Sequence, residues 1–345
     1  MKAVILAGGS GTRLWPLSTK EQPKQFHKIA SDKTMIEDAI ERVDFLKKSD
    51  IYLAINENHL KLVKKLCKGI PSKNIIIEPA MRDTASGIGL AAAIIAKRHP
   101  KEVMAVIYAD HVIGNKKEFQ KSLKVAEKLA KQENTLNIIE VEATEPNTGY
   151  GYVKLARLNK KIDQLEVYNL DSFVEKPDLK KAKEFVKSGK YLWNTGLYVW
   201  KAKTLLDHYK KLLPDTYSKF TKMMAKYDTK DQKKTLNALY PTLEKISIDY
   251  AIMEKVNPKE IRIIKTKNLK WSDVGTWETV WQFVSEKAGK NKHHLDCKNS
   301  IIYSENNKKI IAIGIEDLVI IDTKDGLLIC KKTEAKRIKE LQHYL

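Results

Sequence analysis

Short apolar runs alternate with longer amphipathic segments at the start of the chain. The runs are KAVILA at 2–7, IYLAI at 51–55, NIII at 74–77 and VMAVIYA at 103–109. Between them, apolar positions recur at helical spacing near 34–47, 57–68 and 84–98. Strands separated by such helices form a parallel sheet covered on both faces, with ligands at the carboxyl ends of the strands. The pattern predicts an α/β fold whose site lies just after its strands.

The pattern changes twice in the rest of the chain. Residues 138–200 mostly have a strand-like pattern, and lysine-rich segments with helical spacing follow at 203–255. This order predicts a second lobe on the same sheet. Further β-type runs are found at 300–304, 309–313, 317–322 and 326–331, followed by an amphipathic helix at 333–344. A chain of 345 residues is typical of two domains. We expect a large α/β domain at 1–285 and a small separate β domain at 286–345.

Composition excludes several classes of protein. With 43% hydrophobic and 31% charged residues, the chain has the composition of a globular protein. The longest nearly pure apolar stretch, Ile88 to Ala96, is too short to span a membrane. The apolar start is shorter than a secretory core and is interpreted as the first strand. Cys67, Cys297 and Cys330 lack metal-type spacing, so we expect reduced core thiols and a cytoplasmic protein.

The formal net charge of +20 could indicate nucleic acid or an anionic substrate. Only seven of the 63 basic residues are arginines, and the lysines are spread over predicted helix faces such as 116–131 and 178–190. No basic tail or aromatic stripe accompanies them. The charge indicates solvated lysine-rich faces, or a field that gathers phosphorylated substrates, and we expect no nucleic-acid partner.

A glycine-rich loop follows the first strand directly. In LAGGSGTRLWPLSTKEQPKQF (6–26), Gly8, Gly9 and Gly11 let the backbone turn tightly and present N–H groups to phosphates. Arg13 and Lys24 add a planar fork of donors and a mobile charge for a polyphosphate. The loop is not a P-loop, because Thr12-Arg13 follows the last glycine, and it lacks the third glycine of a dinucleotide-binding fingerprint.

Two aspartates have the chemistry of magnesium ligands. Asp110 directly follows the strand at 103–109, and Asp273 in WSDVG follows the strand-like run at 261–266. Mg²⁺ takes one or two protein carboxylates and completes its shell with water and phosphate oxygens. A helix cap at Asp110 and an Asx-turn at Asp273 are the structural alternatives. For His111 we expect a local hydrogen bond rather than catalysis.

Other polar residues are candidates for substrate contacts. Glu175 and Lys176 stand at a strand end before Pro177, and could bind sugar hydroxyls and phosphate or form a surface ion pair. A second group lies in glycine-containing or polar segments: Gly149, Tyr150 and Asn194. A third follows the third strand at the start of a helix, where Asp83 or Thr84 could be the N-cap: Glu78, Arg82 and Thr84. The tryptophans at 193, 200, 271, 277 and 281 are expected to pack rather than to stack on ligands.

The string from Leu6 to Phe26 resembles the signature of the sugar-nucleotide pyrophosphorylases, and SGTRLWPLS with PKQF is similar to their mannose-1-phosphate guanylyltransferase branch. The resemblance continues along the chain through EPAMRDTASGIGLAA (78–92), ADHVI (109–113), NTGYGYV (147–153), VEKP (174–177), WNTGLYVW (193–200), ISIDYAIMEK (246–255), WSDVGTWETVW (271–281) and EDLVIIDTKDGLLIC (316–330). It covers nearly the whole chain in the family's order.

This resemblance implies a nucleotidyltransferase domain, Rossmann-like with a mainly parallel mixed sheet flanked by helices, and a C-terminal left-handed β-helix that often mediates dimer contacts. The implied reaction transfers GMP from GTP to mannose 1-phosphate with Mg²⁺, giving GDP-mannose for polysaccharide synthesis. The implied partners are thus these small molecules and a second copy of the chain. Because the sequence ends at Leu345, the isomerase activity of some longer relatives is not expected.

The resemblance also assigns roles to residues. Catalysis is implied for Arg13, Lys24, Asp110 and Asp273, the two aspartates being the metal ligands. The implied nucleotide-binding residues are Leu6, Gly8, Gly9, Gly11, Thr12, Arg13, Lys24, Glu78, Arg82, Thr84 and Asp110. The implied sugar-phosphate residues are Gly149, Tyr150, Glu175, Lys176 and Asn194.

Three alternatives remain open. The loop Met81-Arg82-Asp83-Thr84-Ala85-Ser86 departs from the Gly-Arg-Asn-Thr-Ala-Pro that is usual in the family. Another base, or another sugar such as a heptose 1-phosphate, is therefore the nearest alternative. The second is a non-catalytic subunit that binds sugar nucleotides, and the third is a nucleic-acid binder.

Overall fold

A computed structural model describes residues 1–9, 11–284, 292–305 and 309–341. Its first eleven strands are β1 Lys2–Leu6, β2 Ile51–Asn56, β3 Ile75–Glu78, β4 Val103–Tyr108, β5 Val112–Ile113, β6 Leu136–Glu142, β7 Gly151–Ile162, β8 Leu165–Val174, β9 Tyr191–Lys201, β10 Ile261–Lys265 and β11 Trp271–Ser272. Nine of them form one sheet in the order β3-β2-β1-β4-β9-β6-β10-β8-β7. The second lobe predicted on the same sheet is therefore present, because β6 to β10 extend the sheet that β1 to β4 begin.

Strand directions divide this sheet into two halves. The strands β1 to β4 are parallel to one another, as the βαβ pattern predicts. Antiparallel β9 lies between β4 and β6, and the outer strands β7 and β8 form an antiparallel pair. The sheet is thus mixed, and the carboxyl ends of its parallel strands lie at one edge.

Nine α-helices accompany the strands in the described residues: α1 Met35–Arg42, α2 Leu60–Leu66, α3 Asp83–Arg98, α4 Lys116–Gln132, α5 Leu179–Ser188, α6 Ala202–Leu212, α7 Pro214–Lys226, α8 Gln232–Leu239 and α9 Trp277–Val284. Local signals set several of the helix ends. Thr34 and Glu37 form a capping box at the start of α1. Asp178 caps the start of α5, and Gly189 ends it in the left-handed conformation.

The two faces of the sheet are buried against different helices. Alternate residues of β1 point to opposite faces: Val4 packs with α3, whereas Ala3 and Ile5 pack with α1 and α4. Helix α3 is buried along 85–95, which explains why its sequence is almost continuously apolar. The helix predicted at 34–47 ends at Arg42, since Val43 already leaves the helical conformation.

The C-terminal region contains five strands, β12 Lys292–Leu295, β13 Ile301–Ser304, β14 Ile310–Ile313, β15 Leu318–Thr323 and β16 Gly326–Lys331. The pairs β12–β14 and β13–β15 are parallel, whereas β15 and β16 form an antiparallel hairpin. A 3-10 helix at Lys332–Leu341 replaces the first part of the predicted α-helix, and 342–344 lie outside the described residues. The predicted domain boundary at 285/286 lies outside them as well.

The C-terminal strands pack directly on part of the α/β region. Val319 and Ile321 share one buried cluster with Leu14, Leu17 and α9. This shared cluster removes apolar side chains of both regions from water, which joins the two regions. The segment that carries Arg13 therefore lies against the C-terminal hairpin.

The three cysteines differ in how deeply they are buried. Cys67 is a buried free thiol, but Cys297 and Cys330 are only partly buried, so the prediction of three core thiols is wrong for these two. Cys330 is on strand β16, and Cys297 lies in the loop that follows β12. Within the described ranges, no helix is long and apolar enough to cross a membrane.

Candidate active site

The glycine-rich loop is folded by one buried side chain. Gln25 Nε2 donates to the carbonyl oxygens of Ala7 and Gly9, both at 2.9 Å. Gly11 adopts a φ of 61°, and a Cβ there would come within 2.5 Å of Ser18 Oγ. Glycine is required at position 11 by both conformation and space. The loop is thus held open at the carboxyl end of β1.

A cavity of about 490 Å³ lies against this loop. Its wall combines the ends of β1, β3 and β4 with the start of α3. Eight of the predicted nucleotide-binding residues line it: Leu6, Gly8, Gly9, Arg13, Glu78, Arg82, Thr84 and Asp110. Gly11, Thr12 and Lys24 are not part of the wall; Gly11 and Lys24 lie in contact with each other beside it. Sequence reasoning missed Asn56 and Tyr108, which also line the cavity.

Glu78 is the enclosed acidic group of this cavity. A Cβ on Gly8 or on Gly87 would lie 3.0 Å from one of its carboxylate oxygens, so both glycines leave room for it. Tyr240 donates its hydroxyl proton to Glu78 Oε2 at 2.5 Å. Burial raises the pKa of Glu78 to about 7, and the Tyr240 hydrogen bond opposes the rise. No sequence pattern connects Tyr240 with a site, so the structure alone reveals this contact.

The start of α3 forms another side of the cavity. Thr84 Oγ1 accepts from the Ile248 backbone N–H at 2.9 Å, so it joins α3 to a distant loop. Asp83 Oδ1 accepts from the Thr84 backbone N–H at 2.7 Å. The N-cap position is occupied by Arg82, which has no side-chain cap hydrogen bond, so neither Asp83 nor Thr84 is the N-cap residue. Arg82 Nε is buried and finds no hydrogen-bond partner in the described part of the chain.

Lys24 brings the two predicted metal ligands together. Its Nζ lies 3.0 Å from Asp110 Oδ2 and donates to the carbonyl oxygens of Asp273 and Val274 at 3.2 and 3.1 Å. The small sheet of β5 and β11 is the physical reason, since it pairs the segment after Asp110 with the segment before Asp273. Burial alone would raise the pKa of Asp110, but Lys24 outweighs it and the pKa is lowered. Asp110 is therefore ionised.

Asp273 is oriented by its neighbours. Its Oδ1 accepts from the Tyr150 hydroxyl at 2.9 Å and from the Gly275 backbone N–H at 3.2 Å. The Tyr150 ring packs edge-on against Trp193 and Trp271, with centroids 5.2 and 5.1 Å apart. Burial, and then the Asp273 charge, raises the pKa of Tyr150, so the hydroxyl stays protonated. Tyr150 thus contacts a predicted metal ligand, which sequence reasoning did not foresee.

His111 makes the local contacts predicted for it. Its Nδ1 accepts from Trp271 Nε1 at 3.1 Å, and its ring stacks on Tyr108. Burial lowers the pKa of His111 to about 4, so the ring is neutral near pH 7. Trp200 and Trp277 are fully buried, as expected of packing residues, whereas Trp271 is partly exposed at the site.

A second, smaller cavity of about 130 Å³ opens on the other side of Asp273. The predicted sugar-phosphate residues Gly149, Tyr150, Glu175 and Asn194 line it. A Cβ on Gly151 would overlap Glu175 Oε2, so this strand end also requires glycine. Lys176 does not line the cavity: its exposed side chain pairs with Glu175, which is the ion-pair alternative left open by the sequence.

Asp249 is a residue of this cavity that sequence reasoning passed over. Its Oδ1 accepts from Asn194 Nδ2 at 2.9 Å and from the Tyr198 hydroxyl. These bonds fix the side-chain amide of Asn194 at the cavity wall. Burial and then the charge of Asp249 raise the pKa of Glu175. Asp249 lies within the ISIDYAIMEK string, so the resemblance marked its segment without giving it a role.

Asp110 lines the larger cavity, Asp273 lines the smaller one, and Lys24 contacts both residues. Two cavities linked in this way can hold two phosphorylated molecules side by side. The family described as "Nucleotidyl transferase" matches residues 2–289, and "MannoseP isomerase/GMP-like beta-helix domain" matches residues 290–345. The chain therefore belongs to the nucleotidyl transferase family, and its C-terminal region is a β-helix-like domain of this kind.

Individual relatives narrow the branch of the family. The chain is 35% identical to an Escherichia coli mannose-1-phosphate guanylyltransferase, over 99% of this chain and 75% of that protein. It is 34% identical to the Pseudomonas fluorescens alginate biosynthesis protein AlgA, over 99% and 71%. A crystal structure described as mannose-1-phosphate geranyltransferase from Thermus thermophilus superposes with a TM-score of 0.84 at 28% identity, covering 99% and 98%. The chain is thus similar to the mannose-1-phosphate branch.

The raised pKa of Glu78 predicts how the free energy of unfolding depends on pH. The ordinary pKa is 4.5 and the folded value is about 7, so between these values the folded protein binds a proton that the unfolded chain has lost. The free energy of unfolding should therefore fall as pH rises through this interval, relative to Glu78→Gln, whose amide does not titrate. Urea unfolding at closely spaced pH values measures the difference.

The exposed Glu244 supplies the control, since Glu244→Gln leaves the cavity intact. The wild type and Glu244→Gln should show the same pH dependence. Parallel curves for the wild type and Glu78→Gln would contradict a raised pKa at Glu78.

Proposed function

We propose that the protein transfers GMP from GTP to α-D-mannose 1-phosphate, releasing pyrophosphate and forming GDP-mannose. The observation that carries this proposal is the position of Lys24 Nζ, which contacts Asp110 from the larger cavity and the backbone of Asp273 from the smaller one. The relatives named mannose-1-phosphate guanylyltransferase support the choice of sugar phosphate and nucleotide.

The two cavities suit the two substrates. The nucleotide occupies the larger cavity, with its phosphates against the glycine loop and its base toward Glu78 and Thr84. The sugar occupies the smaller cavity, where Glu175, Asn194 and Asp249 offer acceptors and donors for hydroxyl groups. The phosphate of the sugar then lies beside Asp273, next to the α-phosphate of the nucleotide.

The reaction is a single in-line displacement. A phosphate oxygen of mannose 1-phosphate attacks the α-phosphorus of GTP, and the bond to the β-phosphate breaks to release pyrophosphate. The attacking group is already an anion, so the protein needs no general base and forms no covalent intermediate. Its task is to overcome repulsion between anions and to align them. Arg13 and Lys24 offset charge on the departing pyrophosphate. Lys176 leaves its ion pair with Glu175 and binds the phosphate of the sugar instead.

The site also has the donor chemistry of a magnesium site. Asp110 is ionised, and Asp273 uses only Oδ1 in the hydrogen bonds described above, so both offer carboxylate oxygens. Although the described residues contain no cluster of three or more His, Cys, Asp or Glu residues suited to a metal, two carboxylates are what Mg²⁺ takes at phosphate-binding sites. When bound, the ion would neutralise phosphate charge at the point of transfer.

The aspartate pair gives the first test of this function. In Asp110→Ala the metal ligand and the partner of Lys24 are both lost, so turnover should fall by about 10²-fold or more, as is typical when a group stabilising transition-state charge is removed. Pyrophosphate release from GTP, mannose 1-phosphate and Mg²⁺ measures it, and the four nucleoside triphosphates test base choice in the same assay.

Asp44→Ala is the matched control, because Asp44 forms an exposed ion pair with Lys116 away from both cavities. It should keep wild-type turnover. Rapid turnover by Asp110→Ala would refute the metal assignment, and a wild type inactive with every nucleotide and sugar phosphate would refute the function.

Lys176 gives a second test. Lys176→Met should raise the KM for mannose 1-phosphate by about tenfold, since a hydrogen bond to a charged group contributes about 1.5–3 kcal/mol. The KM for GTP should be unchanged. Steady-state kinetics with each substrate varied in turn measure both, with the exposed Lys180→Met as control. An unchanged KM for mannose 1-phosphate would remove Lys176 from the site.

We further propose a homodimer formed through the C-terminal domain at 286–345. Five apolar side chains on β12, β14 and β16 are more than half exposed: Leu295, Ile311, Ile313, Leu327 and Ile329. Clustered exposed apolar side chains mark interaction surfaces in globular proteins. A second copy of the chain would remove them from water.

Analytical ultracentrifugation tests the dimer. The double variant Ile311→Lys and Ile313→Lys should halve the mass in solution, because two buried lysines per subunit would be unpaired in the interface. Leu158→Lys, an exposed apolar position on β7, should leave the mass unchanged. A monomeric wild type, or a double variant that stays dimeric, would overturn the proposal.

A further inference from the structure

The hairpin of β15 and β16 lies directly on the segment that follows Arg13. Thr323 Oγ1, at the end of β15, donates to the carbonyl oxygen of Pro16 at 3.3 Å, and the contact is buried. Gly326, at the start of β16, is paired with Thr323 across the hairpin. A Cβ on Gly326 would lie 2.6 and 2.8 Å from two ring carbons of Trp15. The hairpin and Trp15-Pro16 therefore fit together with no space for one more methyl group.

Apolar contacts extend this fit on both sides of Trp15. Leu14 and Leu17 are buried, and they share one cluster with Val319 and Ile321 of β15. Arg13 is the exposed residue of the short 3-10 turn at Thr12–Leu14, and its side chain lines the larger cavity. The side chain that faces the nucleotide is thus next in sequence to a residue anchored in the C-terminal core.

The remaining parts of the loop are held differently. Gln25 binds the backbone of Ala7 and Gly9, and Gly11 packs against Ser18 and Lys24, all within the α/β domain. These contacts fix the loop before Gly11 and after Ser18. Between these points, Leu14 and Leu17 share a cluster with α/β residues such as Met35 and Trp277 as well as with β15, whereas Trp15 and Pro16 meet the hairpin. The C-terminal region therefore contributes to the position of Arg13.

We infer that Thr323 and Gly326 are positioning residues for Arg13, so that the C-terminal domain completes the triphosphate side of the active site. This inference rests on the proposed function, because it takes Arg13 to offset charge on the departing pyrophosphate. Neither residue touches a substrate. Each acts through Trp15 and Pro16 on the turn that carries the guanidinium.

A charged group stabilises a transition state only when it is correctly placed, so moving Arg13 can slow the reaction even though its side chain is intact. A misplacement of about 1 Å can cost about 10²-fold in rate even when the displaced group is intact. In Gly326→Ala the added methyl group meets the Trp15 ring, and the φ of 153° at this position also strains an alanine, so the ring or the hairpin must move. Either movement is passed to the turn at Thr12–Leu14. The smaller cavity, on the other side of Asp273, is not in contact with this hairpin.

Kinetics of Gly326→Ala test the inference. We expect kcat to fall by about 10- to 100-fold, in line with a displacement of about 1 Å. The KM for mannose 1-phosphate should stay within about twofold of the wild type, because well-separated sites behave independently. Gly314→Ala is the matched control: Gly314 also has a positive φ in the C-terminal region, but a Cβ there meets nothing within 4 Å. It should keep the wild-type kcat.

Two combined variants separate positioning from a general loss of structure. If Gly326 acts through Arg13, then Arg13→Ala should lower kcat in the wild type but add little in the Gly326→Ala background. Trp15→Phe removes the two ring carbons that the new methyl group would meet, so it should restore much of the kcat of Gly326→Ala. Additive losses, or no rescue by Trp15→Phe, would overturn the inference.

Thr323→Val keeps the shape of the side chain and removes its donor, so it should also lower kcat selectively. The inference fails if the wild type turns over normally and Gly326→Ala and Thr323→Val match it. An inactive wild type would instead refute the proposed function, so the two failures are distinguishable. Thermal melts of every variant identify any that fail to fold.

Discussion

The site depends on the contact between the Lys24 ammonium and the Asp110 carboxylate, extended to the backbone at Asp273. These three groups come from positions that are far apart in the sequence, and each would be costly to bury alone. Together they form a charged junction between the residues that line the larger cavity and those that line the smaller one. Two anionic substrates can meet only where such a junction offsets their mutual repulsion, so the rest of the structure serves to hold these three segments in place.

Tyrosine hydroxyls hold three further carboxylates of the site. Tyr240 donates to Glu78, Tyr150 to Asp273 and Tyr198 to Asp249, and each tyrosine lies far from its partner in the sequence. A neutral donor fixes the direction of a carboxylate without cancelling its charge, unlike a lysine or an arginine. Two carboxylates are instead paired with a full positive charge: Asp110 with Lys24, and Glu175 with Lys176.

The sequence predicted most of the fold because its signals are local. Strand β1 and helix α3 follow from apolar periodicity, and Gly11 and Asp110 could be assigned because each directly follows a strand. Residues whose roles depend on distant partners were misjudged or missed. Tyr150 contacts Asp273, Gln25 binds the backbone of the loop, and the C-terminal strands share a core with Leu14. Neither the spacing of residues along the chain nor the composition predicts any of these contacts.

By itself, the sequence determined the α/β architecture, the order of its elements and the residue types available for phosphate chemistry, since periodicity, turn residues and strand ends are properties of neighbouring positions. Only the tertiary structure decided which carboxylates meet Lys24, which tyrosines orient them and which hairpin packs on Trp15. These outcomes depend on the pairing of β5 with β11 and on a core shared between the two regions. Such contacts join residues that are 51 to 307 positions apart, so they are fixed by packing in three dimensions.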